Sequence, residues 1–175
     1  MTVHQEESGA PVSSGEKPCG GAAMIGGLKL PMPAERFIPH RAPMRLVETL
    51  ISCSGHDGLI EAVPAANGIL TDADGTMDEV ALVELLAQGY AVIKGYHDVS
   101  QGKEVSKGFL VGVRKLRVTG RARAGERLLV RIRTVGSFEG FAVAEGEIER
   151  AGETIASGTV KLWVAGPDSL MGATT

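Results

Sequence analysis

The side chains best suited to chemistry lie in the stretch ALVELLAQGY, residues 81 to 90, where Glu84 and Gln88 interrupt an otherwise almost purely apolar run. Four residues apart, they form one polar line on a single face of a helix. An ionised carboxylate taken out of water costs several kcal/mol unless it is paired, and otherwise tends toward its protonated form, which suits general acid work. Two bland roles stand beside that one: an ion pair with one of the many arginines, or a place at the wet rim of a subunit interface. Of the four histidines, His4 lies in a Gly/Ser-rich tail and His56 in a turn, and His97 is placed to cap the end of the helix. His40 differs, because Ile38, Pro39, Pro43 and Met44 give it a rigid, apolar setting just ahead of the first strand. A structural, hydrogen-bonded histidine is the competing reading there. Asp72, Asp74 and Asp78 are explained as well by turns and helix capping as by catalysis.

The elements that must position these residues are legible from period and punctuation. RLVETLISC and GLIEAV flank SGHDG and predict a hairpin over residues 45 to 63. TMDE, residues 76 to 79, matches a capping box, so a helix is expected from residue 77 through Ile93, ending near Gly95 as a C-cap. Apolar nearly all round, that helix must be covered on every side by a curved sheet, a second subunit, or both. Beyond Lys107 the period becomes two. GFLVGVRKLRV, ERLLVRIRT, GFAVAEGEIE and ETIASGTVKLWV predict four strands, with GRARAG and RAG as hairpin turns. Segregated strands and one helix indicate an α+β fold.

The totals bound the reading. With 175 residues, 43% hydrophobic and 22% charged, the chain suits one globular domain, and a net charge of -3 is too small to imply a polyanion-binding protein. Residues 1–30, rich in Gly, Ser and Pro, are expected to be a flexible tail, residues 31–166 the domain, and residues 167–175 a second tail. Cys19 and Cys53 are isolated, with no CxxC and no short-spaced framework, and the N-terminal stretch lacks the features of an export signal. A reduced, cytoplasmic setting is expected, with no membrane span. No metal-ligand spacing and no GxGxxG after a strand are present, so neither a metal nor another cofactor is expected.

Three blocks resemble the FabZ-type 3-hydroxyacyl-(acyl carrier protein) dehydratases. PHRAPMRLVE is similar to the family's PHRxPxLLVD. LVELLAQ resembles the helix signature LxxEAMAQ, with Glu84 at the catalytic acid position and Gln88 at the following glutamine. GVRKLRVTGRARAGERLLV resembles GIDxARFxxPVxPGDxL, matching Gly112, Arg117, Gly125 and Glu126. Together the blocks span most of residues 38 to 164. The family's GHFPG block is replaced by NGILTDADGTMDE, and Leu70 stands where its catalytic histidine belongs. In that respect the chain is similar to a divergent dehydratase branch that keeps the PH and E..AQ motifs, and there His40 is the surviving histidine.

The resemblance implies a hotdog fold, one long central helix wrapped by a curved antiparallel sheet of five to six strands. It also implies acid/base elimination of water from a 3-hydroxyacyl thioester, in fatty-acid or polyketide-type metabolism. On that scheme His40 takes the C2 proton, Glu84 protonates or orients the hydroxyl, Gln88 supports Glu84 or the substrate, and Phe109 and Gly112 contact the substrate. The expected partners are an acyl carrier protein or CoA thioester and a second subunit, as a homodimer or with a related hotdog chain. Residues 107 to 133 hold nine of the chain's 18 Lys and Arg against one acid, Glu126, a face suited either to docking an acidic carrier or simply to solvation. Nucleic acid is not expected, since Phe109 is the stretch's single aromatic residue. A hotdog thioesterase and a non-catalytic acyl-binding protein are the alternative functions.

Overall fold

The computed structural model describes residues 28–165. The expected tails lie outside the described residues, apart from residues 28–30. The element order is β1 (Met32–Pro33), a 3-10 turn at Ala34–Arg36, β2 (Thr49–Ser54), β3 (Asp57–Ala62), α1 (Glu79–Ser100), β4 (Gly108–Val118), β5 (Leu128–Phe138), β6 (Phe141–Arg150) and β7 (Glu153–Val164). All strands join one antiparallel sheet in the order β1-β2-β3-β5-β6-β7-β4. The count is therefore seven strands rather than five or six, the extra one being the two-residue β1.

The hairpin over residues 45 to 63 forms as β2 and β3, with pairing confined to Thr49–Ser54 and Asp57–Ala62. RAG at residues 150 to 152 makes the β6–β7 turn. GRARAG does not make a hairpin: β4 pairs with β7 at the sheet edge, so residues 119 to 127 carry the chain across to β5. Composition marked a turn there but could not say which strands it joined.

The sheet curls around α1, burying Ile60, Leu128, Val130, Ile132, Ile148 and Val160 against Leu82, Leu85, Leu86, Val92 and Ile93. Gly89 lets the helix sit low on the sheet, since a Cβ there would lie 2.9 Å from the Ile132 side chain. Two helix boundaries differ from expectation. Asp78, not Thr76, is the N-cap, accepting from the Val80 amide, while Thr76 donates its hydroxyl to Asp74. At the other end the helix runs past Gly95 to Ser100. Gly95 serves close approach, because a Cβ there would fall 1.8 Å from the Phe37 carbonyl oxygen.

One side of the molecule is left open. Val80 is 67% exposed, and Glu84, Ala91 and Lys94 are the partly exposed positions farther along that side of α1. At the neighbouring sheet edge, Leu110 and Val113 stand opposite buried Leu162 and Val160, so they face the helix side, yet both remain exposed.

Candidate active site

The cleft between the open side of α1 and the start of β4 brings Glu84 and His40 together. Its walls are Pro39, His40 and the 84–94 stretch of α1 on one side, and Gly108, Phe109, Leu110, Leu162 and Val164 on the other, enclosing about 210 Å³. His40 Nε2 lies 3.9 Å from Glu84 Oε1, close enough for an ion pair and too long for a hydrogen bond. Glu84 is paired with no arginine; its contacts are Gln88 and His40. Nor is it sealed in hydrocarbon, since its side chain is 26% accessible and faces the cleft.

Gln88 is the strut of this arrangement. It is 1% exposed, its Oε1 accepts from the Leu46 amide at 2.9 Å, and its Nε2 donates to the Met44 carbonyl at 2.7 Å and to Glu84 Oε1 at 2.9 Å. Both amide hydrogens are therefore engaged within the protein: Gln88 supports Glu84, as one of its two expected roles has it, and fastens the loop carrying His40 to the helix carrying Glu84. Arg41 tightens that loop from outside, its Nη1 donating to the carbonyls of Ile38 and His40 at 2.9 Å each. Glu84 Oε2 is not engaged by any described residue.

Phe109 lines the cleft and stacks on Trp163 with ring centroids 5.7 Å apart. Gly112 lies farther along β4, paired with Lys161 and outside the cleft wall. Sequence reasoning missed Tyr90, Lys94 and Ser106. Burial, with the charge of Asp98 adding to it, pushes the Tyr90 hydroxyl up to about 12, so it stays protonated. Lys94 pairs with buried Asp98, whose Oδ2 also accepts from the Ser106 hydroxyl at 2.8 Å. The i, i+4 spacing of Lys94 and Asp98 was visible in sequence; that β4 would close over it was not.

His97 is the basic residue of the last turn of α1, placed near the helix end as expected, but its ring reaches off the helix. Its Nε2 lies 2.8 Å from the Gly55 carbonyl oxygen and 3.8 Å from Cys53 Sγ. The basic run of residues 107 to 133 is not one-signed. Arg127 pairs with Glu61, Arg131 with Glu149 at 3.3 Å, and Arg133 with Asp57 at 3.8 Å, because β3 and β6 set acids beside β5. No group of His, Cys, Asp and Glu among the described residues is arranged to hold a metal ion. Among them, too, no helix is long and apolar enough to cross a membrane.

A single helix in a curled antiparallel sheet, with a carboxylate and an imidazole facing one cleft, defines a hotdog protein. The sequence model of the ApeP-like family, described as ApeP dehydratase, matches residues 32–172, and the chain belongs to that family. Among solved structures, the dehydratase heterocomplex ApeI:P from Xenorhabdus doucetiae is 26% identical with a TM-score of 0.74, covering 80% of this chain and 95% of that one. A hypothetical thioesterase with coenzyme A from Streptococcus pneumoniae (14% identity, TM-score 0.52, covering 67% of this chain and 84% of that one) shares the fold. So does the PaaI protein of the E. coli phenylacetic acid degradation operon (16% identity, TM-score 0.51, covering 65% and 80%). A search of curated protein sequences finds no match. The chain is a dehydratase-like hotdog protein, as the FabZ-type resemblance implies.

Proposed function

We propose that the chain removes water from 3-hydroxyacyl thioesters, giving enoyl thioesters, at the cleft shared by His40 and Glu84. The observation that carries this reading is a carboxylate with one oxygen uncommitted, 3.9 Å from an imidazole, at an otherwise largely apolar groove. Elimination needs a group to take the C2 proton, a proton for the departing C3 hydroxyl, and a surface that keeps bulk water from the acyl chain. Glu84 and His40 offer the proton-handling groups, and Phe109, Leu110, Leu162 and Val164 the apolar wall. The thioester would be carried on phosphopantetheine, in a carrier protein or in CoA. Arg114, Lys115 and Arg117 of β4, among the run's cations that form no ion pair among the described residues, are available to meet its acidic carrier.

A second hotdog subunit completes the chamber in this reading. At about 210 Å³ the cleft falls short of the roughly 300 to 1,000 Å³ usual for ligand sites. The apolar strip of Leu110 and Val113, uncovered among the described residues, adjoins it, and the sheet edge at β4 is unpaired among them. The ApeI:P structure is itself a dehydratase heterocomplex, which supports a related subunit as the partner.

The test incubates the protein, with any hotdog subunit that copurifies, with 3-hydroxyacyl thioesters and follows enoyl absorbance and free thiol together. Enoyl formation that falls by about 10² to 10⁴ in Glu84→Gln is expected. Thiol release without enoyl product would make the protein a hydrolase, and neither product would make it a binder.

A further inference from the structure

The hydrogen-bond order around Glu84 is set from outside the cleft. The Leu46 amide can only donate and the Met44 carbonyl can only accept, and Gln88 meets both. Its oxygen therefore faces Leu46, and its NH2 faces Met44 and Glu84, with no freedom to flip. Glu84 Oε1 thus receives an N–H and acts as an acceptor there.

His40 stands on the other side of that oxygen, and its two nitrogens differ sharply. Nε2 faces the carboxylate at 3.9 Å. Nδ1 is closed off from solvent by this chain alone and has no hydrogen-bond partner among the described residues. A proton on Nδ1 would be a buried donor with nothing to accept it, and orphaned buried N–H groups are rarer than under-used acceptors. An imidazolium would carry the same orphan. A proton on Nε2 alone instead faces the open cleft, where the carboxylate lies 3.9 Å off and a substrate oxygen can accept it, and leaves Nδ1 as a bare lone pair.

We propose that His40 keeps its proton on Nε2 and acts as a neutral hydrogen-bond donor, so that Glu84 is the one group that carries protons in the reaction. This rests on the dehydration reading and reverses the roles expected from sequence, in which His40 was the base. The C2–H bond breaks with its proton passing to Glu84 Oε2 and its electron pair going onto the thioester carbonyl as an enolate, from which the pair returns to form the C2=C3 bond only as the hydroxyl leaves. The C3–O bond then breaks with its pair, and the same proton moves from Glu84 to the leaving oxygen, giving water and restoring the carboxylate. The C2 hydrogen and the C3 hydroxyl must therefore leave from the one face that Glu84 addresses. His40 Nε2–H is aimed into the cleft to hold the substrate hydroxyl in place, and no step asks His40 to accept a proton.

The proton is read directly by nitrogen-15 NMR on histidine-labelled full-length protein near neutral pH, with the His40 signal assigned by its loss in His40→Gln. A hydrogen-bearing Nε2 and a bare Nδ1 are expected; a proton on Nδ1, or on both nitrogens, overturns the proposal. This reading needs no turnover, so a wild-type protein that makes no enoyl product would sink the dehydration reading while the spectrum still decided the state of His40. Kinetics supplies the second arm. His40→Gln keeps an N–H donor but cannot take a proton, so enoyl formation should fall by about 10-fold or less, against the 10² to 10⁴ of a lost acid–base group in Glu84→Gln. Equal losses in the two variants would return the base to His40.

Discussion

At the scale of single residues, Gln88 ties structure to chemistry. Replacing it with leucine would keep much of the volume and strip three part-buried hydrogen bonds, leaving the Leu46 amide and the Met44 carbonyl without their partners. Each such loss costs about 1–3 kcal/mol, so Gln88→Leu is expected to lower stability by a few kcal/mol in urea titration. Enoyl formation should drop as well, because Glu84 loses its fixed donor. Cys53 gives a prediction of another kind. Burial first, and the nearby Asp57 carboxylate second, push its thiol up to about 11. The fold thus favours the neutral thiol, and that contribution is complete below the ordinary value of 9.0 and lost as pH rises through about 11. Native protein at pH 8 should leave Cys53 unalkylated by iodoacetamide in peptide mass spectrometry, with labelling appearing on unfolding or at strongly alkaline pH. Glu84 and His40 were both legible in the sequence as candidates. What was hidden was the pairing of Gln88 with backbone 42 and 44 positions away, since no local pattern encodes which distant amide a side chain will meet.

At the scale of elements, Gly95 shows how one residue type can carry two meanings. After an apolar helical run, glycine reads as a C-cap, but here the 3-10 turn and Phe37 press against the helix and the chain continues helical to Ser100. Gly95→Ala separates the two roles. A true interior helix position would gain up to about 1 kcal/mol from alanine. A methyl group placed 1.8 Å from the Phe37 carbonyl oxygen must instead push backbone aside, and a loss of more than about 3 kcal/mol, or failure to fold, is expected in thermal unfolding. The same distinction explains why the four long strands after the helix were readable and their order was not. Alternation in LLVRIRT or FAVAEGEIE is local, whereas the β4–β7 pairing joins residues about 40 to 55 positions apart, so GRARAG looked like a hairpin turn when it is a crossover. Likewise the basic run was counted along the chain, while its neutralisation by Glu61, Glu149 and Asp57 happens across strands.

At the scale of the whole molecule, the open side of α1 and the β4 edge form one surface. An antiparallel sheet whose edge strand carries Phe109, Leu110, Val111, Val113 and Leu116 in exposed positions is prone to associate, since among the described residues both its edge backbone groups and its apolar side chains lack cover. Val113 is the sharpest probe, because it faces the helix side opposite buried Val160 but does not line the cleft. A glutamate there would place a charge in any subunit contact while leaving His40, Glu84 and Gln88 untouched. Size-exclusion chromatography with light scattering should give a two-subunit mass for the wild type, alone or with a related hotdog chain, and a single-chain mass for Val113→Glu. If the second subunit also closes the acyl chamber, the dissociated variant loses enoyl formation with its circular dichroism spectrum unchanged. A monomeric wild type with full activity would show instead that the small cleft suffices, and that the apolar strip on β4 serves something other than catalysis.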